Sequence, residues 1–291
     1  MKTAKTIYLI AIITITVFVV IFFGGRKIEA FRGLFGNVDM VNDSVSLEPF
    51  KEIDLEADAV EFEIVEGEDY HVDYEYPSSM TLKGGVENDV LKIELKGKKN
   101  QAFGFFRIDP GKMSIKNVEP KITVTVPENT ELKKADLKID AGNVNLSDRI
   151  IDELKADCDA GNFNLKRITA EKLDVTADAG NVEIKDSTLG DCKFDTSAGR
   201  IKVDDSVMNS VNAETSMGEI DFDNTTFGKG EVNSDLGKIS IDGTFDELKS
   251  TASMGNIEVD NTNDAAKYDI SIDMGEINVN GDSKGTKFSQ E

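Results

Sequence analysis

Apolar and polar residues alternate along most of the chain after residue 47. The clearest alternating stretches are EIDLEAD, AVEFEIVEG, YHVDYEY, DVLKIELKG and PKITVTVP. Because successive side chains of a β-strand point to opposite faces, a period of two predicts strands with one buried face. The pattern runs into the second half of the chain without a linker-like stretch. It therefore predicts one continuous, all-β body over residues 47–291.

A short motif recurs eight times in the second half, from DAGNVNL at 140–146 to DMGEINV at 273–279. Its central glycines are separated by 19 residues five times, and then by 18 and 20. One such unit cannot bury its own apolar face, whereas stacked units can, and this is the logic of a solenoid. The repeat glycines are Gly142, Gly161, Gly180, Gly199, Gly218, Gly237, Gly255 and Gly275.

The parity of the alternation changes by one residue across each glycine. Before Gly218 the apolar series ends at Met217, and after it the apolar positions resume at Ile220. We therefore predict a corner at each glycine, where a positive φ costs little. The same alternation places the residue before the glycine, such as Ala179 or Met274 in other units, on the buried face.

Equivalent positions of successive units hold like residues. One column carries Asp140, Asp159 and Asp178 and continues with Ser197 and Ser216, which relieve the repulsion between stacked aspartates. In-register parallel stacking would place such residues ~4.8 Å apart, and asparagine ladders stabilise such stacks by side-chain hydrogen bonds. The asparagine column consists of Asn143, Asn162 and Asn181.

These columns favour a β-solenoid of the parallel β-helix kind with repeats of about 19 residues. The alternative is a run of antiparallel hairpins with two-residue turns such as Ala160-Gly161, whose pairing parity also fits the pattern.

An unbroken apolar run, IYLIAIITITVFVVIFF, occupies residues 7–23. As a helix, the run would span about 25 Å, which is at the short end for a membrane crossing. Lys2 and Lys5 precede it, and neither a small-x-small cleavage signal nor a lipobox cysteine follows it. We therefore predict an N-terminal transmembrane signal anchor rather than a cleaved signal peptide or a lipoprotein.

Flanking charge barely decides the orientation of this anchor, because two lysines and the α-amine before the run balance three basic residues within 26–32. The run lies at the extreme N-terminus like an export signal, and long domains translocate largely regardless of charge. We expect residues 1–6 in the cytoplasm and the body outside the cell. The alternative is a cytoplasmic body held on the same anchor.

The rest of the chain is divided according to how regularly its strand pattern repeats. Residues 24–46 are predicted to form a stalk, residues 47–130 degenerate coils with a cap, and residues 131–291 the regular solenoid. The largest irregular insertion, 96–119, crowds aromatic and basic residues together, which suits contact with a partner, a glycan or membrane headgroups; the alternative is a hydrophobic flap over the solenoid end. The candidate contact residues are Phe103, Phe105, Phe106 and Arg107.

Charge narrows the possible partners. The formal net charge is −22; residues 1–32 carry +4, so the remaining residues carry −26. A body this acidic repels phosphates, which excludes nucleic-acid binding and disfavours an anionic lipid surface on the body.

No established catalytic motif is present. The chain lacks GxxxxGK[ST], GxSxG, HExxH and CxxC. A histidine-containing triad would need His71, the one histidine, which lies in an alternating strand and is expected at its surface. We assign no catalytic residue, no metal and no cofactor.

Two other residue sets are interpreted as structural. The turn aspartates form a one-dimensional row, whereas calcium needs six to eight oxygens at one point, so we interpret them as turn caps. Cys158 and Cys192 face inward at roughly 16 Å from each other, given the strand rise and spacing. That separation is too large for a disulfide, and we predict two buried free thiols.

The stretch ITVTVPENTELKKADLKIDAGNVNL and the repeats that follow it resemble a bacterial family of "putative adhesin" β-strand-repeat proteins of unknown function, which includes LiaG- and YvlB-like envelope proteins. The resemblance covers about residues 47–280. It implies a β-solenoid at the bacterial envelope, often associated with envelope-stress operons, and it supplies no catalytic residues. The short N-terminal anchor also fits the LiaG-like members.

Together these features predict a binding or scaffold module rather than an enzyme. We expect a single-pass protein of the bacterial cell membrane whose extracytoplasmic body engages wall polymer or a membrane protein. The alternatives are an accessory regulatory subunit of an envelope-stress signalling system and, more remotely, a polysaccharide lyase or hydrolase. The predicted contact ladder consists of Asn145, Asn164, Glu183, Lys202 and Asp221.

Overall fold

The computed structural model describes residues 39–97, 108–109, 112–113 and 119–291, and every regular element in these ranges is a β-strand. The first strands are β1 (Met40–Ser46), β2 (Glu52–Ala57), β3 (Val60–Gly67), β4 (His71–Pro77), β5 (Met80–Glu87), β6 (Val90–Gly97), β7 (Ile108–Asp109), β8 (Lys112–Met113) and β9 (Lys121–Pro127). The others are β10 (Glu131–Lys185), β11 (Thr188–Asp204), β12 (Val207–Asn261), β13 (Lys267–Val279), β14 (Asp282–Gly285) and β15 (Lys287–Gln290).

The chain separates into two units. The smaller consists of Met1–Asn37 and Phe105–Lys116, and its described residues form the antiparallel pair β7–β8. The larger consists of Val38–Gly104 and Asn117–Glu291, and its thirteen strands form one sheet.

Strands β10 to β13 of the larger unit wind as a parallel solenoid. Residues of β10 pair with residues 19 positions later in β11, so that Gly180 lies opposite Gly199, and β11 pairs with β12 at the same offset. Pairing of β12 with β13 brings Gly255 opposite Gly275. Neighbouring coils are therefore parallel and in register. The predicted β-solenoid is confirmed, and the alternative array of antiparallel hairpins is wrong.

The apolar face of each coil fills the interior of the solenoid. Alternation along the strands turns every second side chain inward, and the same columns recur in successive coils. In one representative coil the buried apolar side chains are Leu189, Cys192, Phe194, Ile201 and Val203.

Aromatic rings connect the last coils. Phe227 and Phe245 stack face to face with ring centroids 4.8 Å apart, and Phe245 meets Tyr268 edge-on at 5.8 Å. Tyr268 in turn contacts Phe288 of β15 at 5.5 Å. Aromatic pairs in these geometries stabilise by about 0.5–1.5 kcal/mol beyond their burial. The row of rings therefore ties the C-terminal strands to the stack.

The eight repeat glycines lie in one column, but a positive φ is not what they share. Gly142 and Gly255 have φ of +137° and +142°, whereas Gly180 and Gly199 lie outside the left-handed range. A Cβ at Gly199 would approach the carbonyl oxygen of Gly180 to 1.7 Å, and the corresponding distances are 1.6–1.9 Å at all eight positions. The physical reason for glycine is thus the backbone contact between coils, which corrects the explanation based on φ.

A second corner follows each of the first five repeat glycines by six residues. The residues there have φ between +47° and +59°, a region in which Asp and Asn are enriched. The alternation does not reveal this corner, although an Asp or Asn stands six residues after four of these five glycines and is a signal for it. The second-corner residues are Asp148, Arg167, Asp186, Asp205 and Asn224.

Buried hydroxyl groups line the inside of the second corner. The backbone N–H of Ile168 donates to Ser187 Oγ at 3.1 Å, and the N–H of Ser187 donates to Ser206 Oγ at 3.0 Å. Each hydroxyl thereby serves the backbone of the preceding coil, which satisfies polar groups that burial would otherwise leave costly.

Short strands continue the stack on its N-terminal side. Strand β2 pairs in parallel with residues 134–139 of β10, and β3 with residues 142–146. Strand β6 lies parallel to β2, and β9 parallel to β3. The pairing then becomes antiparallel, because β4 joins β9, β1 joins β4 and β5 joins β6.

Strand β1 differs from the sequence prediction of a stalk over residues 24–46. Its residues 40–46 pair with β4, which places Val41 opposite Tyr76 and Val45 opposite Val72. The segment is polar between these two valines, so its alternation is too weak to reveal an edge strand. Residues 96–97, predicted within the irregular insertion, complete β6.

Two antiparallel strands cover the last coil. Strand β14 pairs with residues 277–279 of β13, and β15 pairs with residues 268–271. An uncovered parallel edge would be a template for pairing with another chain, and these short strands end the stack at that side.

Candidate binding surfaces

Polar side chains form a hydrogen-bonded column on the outward face of the strand that follows each glycine. Asn162 Nδ2 donates to Asn143 Oδ1 at 2.9 Å, and Asn181 Nδ2 donates to Asn162 Oδ1 at 3.0 Å. The predicted asparagine ladder is therefore confirmed. Since each amide can donate to one neighbour and accept from the next, the ladder links three coils through their side chains.

The five residues of the predicted contact ladder share the next outward column. Glu183 pairs with Lys202 and Lys202 with Asp221 in the backbone register. Asn164 Nδ2 donates to Asn145 Oδ1 at 2.7 Å. Asn164 and Glu183 are exposed, whereas Asn145, Lys202 and Asp221 are half-buried. The column thus offers amides in the first coils and mixed charge in the next ones.

Ion pairs dominate the later coils of this face. Arg200 lies 3.5 Å from Glu219 and also pairs with Asp221, and Lys202 pairs with Asp204, whose carboxylate raises the pKa of Lys202. Exposed ion pairs contribute only about 0–1 kcal/mol each, so these pairs set a charge pattern more than they stabilise the fold.

The second corner presents another outward row. Arg167 Nη2 donates to Asp148 Oδ2 at 2.6 Å, and this bond lowers the pKa of Asp148. Further along, Asn224 Nδ2 donates to Asp205 Oδ1 at 2.8 Å. The row is therefore mostly charged, and side-chain hydrogen bonds join adjacent coils at both of its ends.

The turn aspartates lie beside one another without forming a metal site. Burial, followed by the charges of Asp58 and Asp159, raises the pKa of Asp140. Ser197 Oγ donates to Asp178 Oδ1 at 3.3 Å, so serine relieves the repulsion in this column. Within the described ranges, no group of three or more His, Cys, Asp or Glu side chains is arranged to hold a metal ion.

Both cysteines are buried and free, as predicted. Burial raises the pKa of Cys158 to about 11 and that of Cys192 to about 12. Because the thiolate is the reactive form, neither thiol is poised for nucleophilic chemistry.

His71 lies half-buried at the start of β4 with its Nδ1 2.8 Å from Asp69 Oδ1.

A row of large apolar side chains is exposed at the glycine corner of the last four coils. The alternation places the residue before each glycine on the buried face, and this expectation is wrong. The inward series stops at Thr215 and resumes at Ile220, so the alternation is interrupted across Gly218. The exposed row, which we name the apolar ridge, consists of Met217 (56% exposed), Leu236 (44%), Met254 (47%) and Met274 (62%).

Several predictions fall outside the described residues. The candidate contact loop with Phe103, Phe105, Phe106 and Arg107 lies there, as does the anchor predicted at 7–23. Among the residues that the structure describes, no helix is long and apolar enough to cross a membrane.

Comparison with known proteins connects this fold to a family. The bacterial family described as Toastrack DUF4097 matches residues 50–291. Among curated proteins, none matches the chain.

Solved structures from Bacteroides and Parabacteroides species share the fold. A "putative adhesin" from Bacteroides fragilis is 14% identical with a TM-score of 0.50 and covers 85% of this chain and 99% of its own. A "putative adhesin" from Parabacteroides distasonis is 15% identical with a TM-score of 0.54 and covers 84% and 98%. A "putative lipid binding protein" from the same species is 20% identical with a TM-score of 0.54 and covers 85% and 96%. At these identities the likeness extends to the fold alone.

Proposed function

The chain belongs to the Toastrack DUF4097 family, and we propose that it is a membrane-anchored, extracytoplasmic β-solenoid that acts as a non-catalytic binding or scaffold module at the bacterial cell envelope. The observation that carries this proposal is the outward column from Asn145 to Asp221. It repeats once per coil on a rigid parallel stack, and a repeating surface suits a repeating partner.

The chemistry of the column supports wall polymer as that partner. The amides of Asn145 and Asn164 can donate to and accept from sugar hydroxyls, and the charges of Glu183 and Lys202 can select polymer substituents. Because the backbone under the column is fixed by the parallel strand ladder, no loop has to become ordered on binding. The adhesin and lipid-binding descriptions of the structural neighbours also favour a binding role.

Location is tested by protease shaving of intact cells that express the full-length protein with a C-terminal tag. We expect loss of the tag while the anchor is retained. Protection that persists after the wall is stripped contradicts an extracytoplasmic body.

Binding is tested by sedimenting the full-length protein with isolated wall material and with membranes. The double substitution Asn164→Ala, Glu183→Ala should abolish co-sedimentation with the wall. The matched control Glu153→Ala, Thr169→Ala alters exposed residues outside the column and should leave binding unchanged. Binding to neither fraction contradicts the proposal. A single crosslinked membrane protein without polymer binding favours the regulatory-subunit alternative instead.

A further inference from the structure

The apolar ridge is not explained by the fold. In the first four coils the same position, directly before the glycine, holds Ala141, Ala160, Ala179 and Ala198. Those coils stack through the same glycine contact and in the same register. The backbone therefore does not need a large side chain there, and the last four coils expose apolar surface that alanine would avoid.

Clustered apolar exposure of this kind is typical of interaction sites. Single exposed apolar residues need no explanation, but contiguous patches mark surfaces that another molecule covers. Three of the four ridge residues are methionines, whose flexible and polarisable thioethers adapt to varied partners. The ridge is also contiguous, because Met254 lies directly opposite Met274 in the backbone register and the neighbouring glycines stack throughout.

The spacing of the ridge fits a helix better than a strand. Coils repeat every ~4.8 Å, so four side chains cover about 14 Å. An amphipathic helix presents one apolar residue per 5.4 Å turn and would match four side chains over about 16 Å. An extended strand repeats its same-face side chains every ~6.8 Å and loses register with the ridge within two steps.

The charged residues that border the ridge determine which charge a partner helix should carry. Asp235 and Asp273 border it on one side and Glu276 on the other, while the one bordering lysine, Lys238, pairs with Glu258 at 2.8 Å. The border is therefore acidic, on a body of strongly negative charge. Such a border repels a second copy of this chain and anionic lipid, and it attracts cations.

We propose that the apolar ridge binds the apolar face of a cationic amphipathic helix in a partner protein. The leucine-like residues of that helix pack between the ridge side chains, and its basic residues lie over Asp235, Asp273 and Glu276. This surface differs from the polymer-binding column, so the failure of wall binding leaves the helix proposal untouched, and the reverse also holds.

The test uses a synthetic helix of leucine and lysine, about five turns long, with leucine once per turn along one face. Its affinity is measured by titration calorimetry for the full-length protein in phosphatidylcholine nanodiscs. The fourfold substitution Met217→Ala, Leu236→Ala, Met254→Ala, Met274→Ala should weaken binding at least tenfold. Equal affinity for this variant overturns the proposal, because binding would then depend on net charge alone.

Two variants with the same amino-acid composition test whether the ridge must be contiguous to bind the helix. The pair Ala198→Met, Met274→Ala moves the ridge by one coil and keeps it continuous, and it should bind within threefold of the parent. The pair Ala160→Met, Met254→Ala interrupts the ridge and should lose most of the affinity. If the two variants bind equally, contiguity is irrelevant and the proposal is wrong.

Methionine oxidation reports where the peptide lies. Added helix should slow peroxide oxidation of Met217, Met254 and Met274 severalfold, whereas a matched leucine–glutamate helix should not. Protection in nanodiscs without peptide, lost in detergent, would assign the ridge to lipid. Protection that grows with protein concentration would assign it to a second copy. Either result overturns the helix proposal.

Discussion

The first four coils of the regular stack, with glycines from Gly142 to Gly199, and the last four, from Gly218 to Gly275, share one backbone design. Both stack through the glycine column, and both fill the interior with the same apolar columns. They differ at the corner, where alanine in the first coils gives way to the apolar ridge, and on the outward face. There the asparagine ladder joins the first three coils, whereas Lys238 pairs with Glu258 in the last four.

This difference separates what holds the fold from what is free to vary. A position in contact with the next coil is restricted, because a glycine column leaves no room for a Cβ. A position that points outward meets only its equivalents one coil away, so its chemistry can change from coil to coil. Outward changes that the stack does not require are therefore the best guide to function in this chain.

The largest loss of stability is expected from a substitution in the glycine column, whose backbone contact both halves share. Gly199→Val should lower the free energy of unfolding by more than about 4 kcal/mol, because the new Cβ would overlap a carbonyl oxygen that cannot move independently. Urea denaturation measures the loss. Gly97→Ala, where φ lies outside the left-handed range and a Cβ would lie 3.4 Å from Asp58 Oδ2, is the control and should change stability by less than about 0.5 kcal/mol. Similar losses for both variants would contradict the stacking explanation.

Breaking the amide ladder of the first coils should cause a loss of stability of intermediate size. Asn162→Ala removes one hydrogen bond to Asn143 and two from Asn181, which donates both its Nδ2 and its backbone N–H, and it should cost about 1–2 kcal/mol. The same substitution at Asn256, the exposed equivalent in the last coils, should cost only a few tenths. Thermal unfolding of the two variants compares the halves directly, and equal losses would show that the ladder adds nothing.

A smaller, pH-dependent effect is expected at Asp140. Its raised pKa means that the charged form is disfavoured in the folded state, so wild-type stability gains as pH falls through that pKa. Asp140→Asn should therefore stabilise the protein by a few tenths of a kcal/mol at neutral pH, and the advantage should vanish below the ordinary aspartate pKa of 3.8. Thermal unfolding as a function of pH measures this change.

Asp148 is the matched control, because its pKa is shifted in the opposite direction and its substitution should change stability with the opposite sign. Arg167 lowers the pKa of Asp148, so the stabilisation from this pair is present at neutral pH and is lost as pH falls through the lowered pKa. Asp148→Asn keeps a residue that tolerates the positive φ and should cost a few tenths of a kcal/mol at neutral pH only. A change of the same sign in both variants would contradict the assignment of the two pKa shifts.

Sequence periodicity predicts the solenoid because its determinants are local and repeated. The glycine column, the inward alternation and the asparagine ladder each recur at a fixed spacing, and each is found in the structure. The apolar ridge and the second corner could not be derived in the same way. Parity alone cannot show that Met217 lies outward, since it does not reveal that the inward series is interrupted between Thr215 and Ile220. Edge strand β1 carries too few apolar residues to reveal its pairing.

The most direct test of this separation between fold and function is urea unfolding of the variant in which all four ridge residues are alanine. Because the first coils already use alanine there, we predict that the variant folds with unchanged strand content and loses less than about 2 kcal/mol in total. It should remain more stable than Gly199→Val. A loss as large as that of the single glycine substitution would contradict the account, because the ridge would then be part of what holds the coils together.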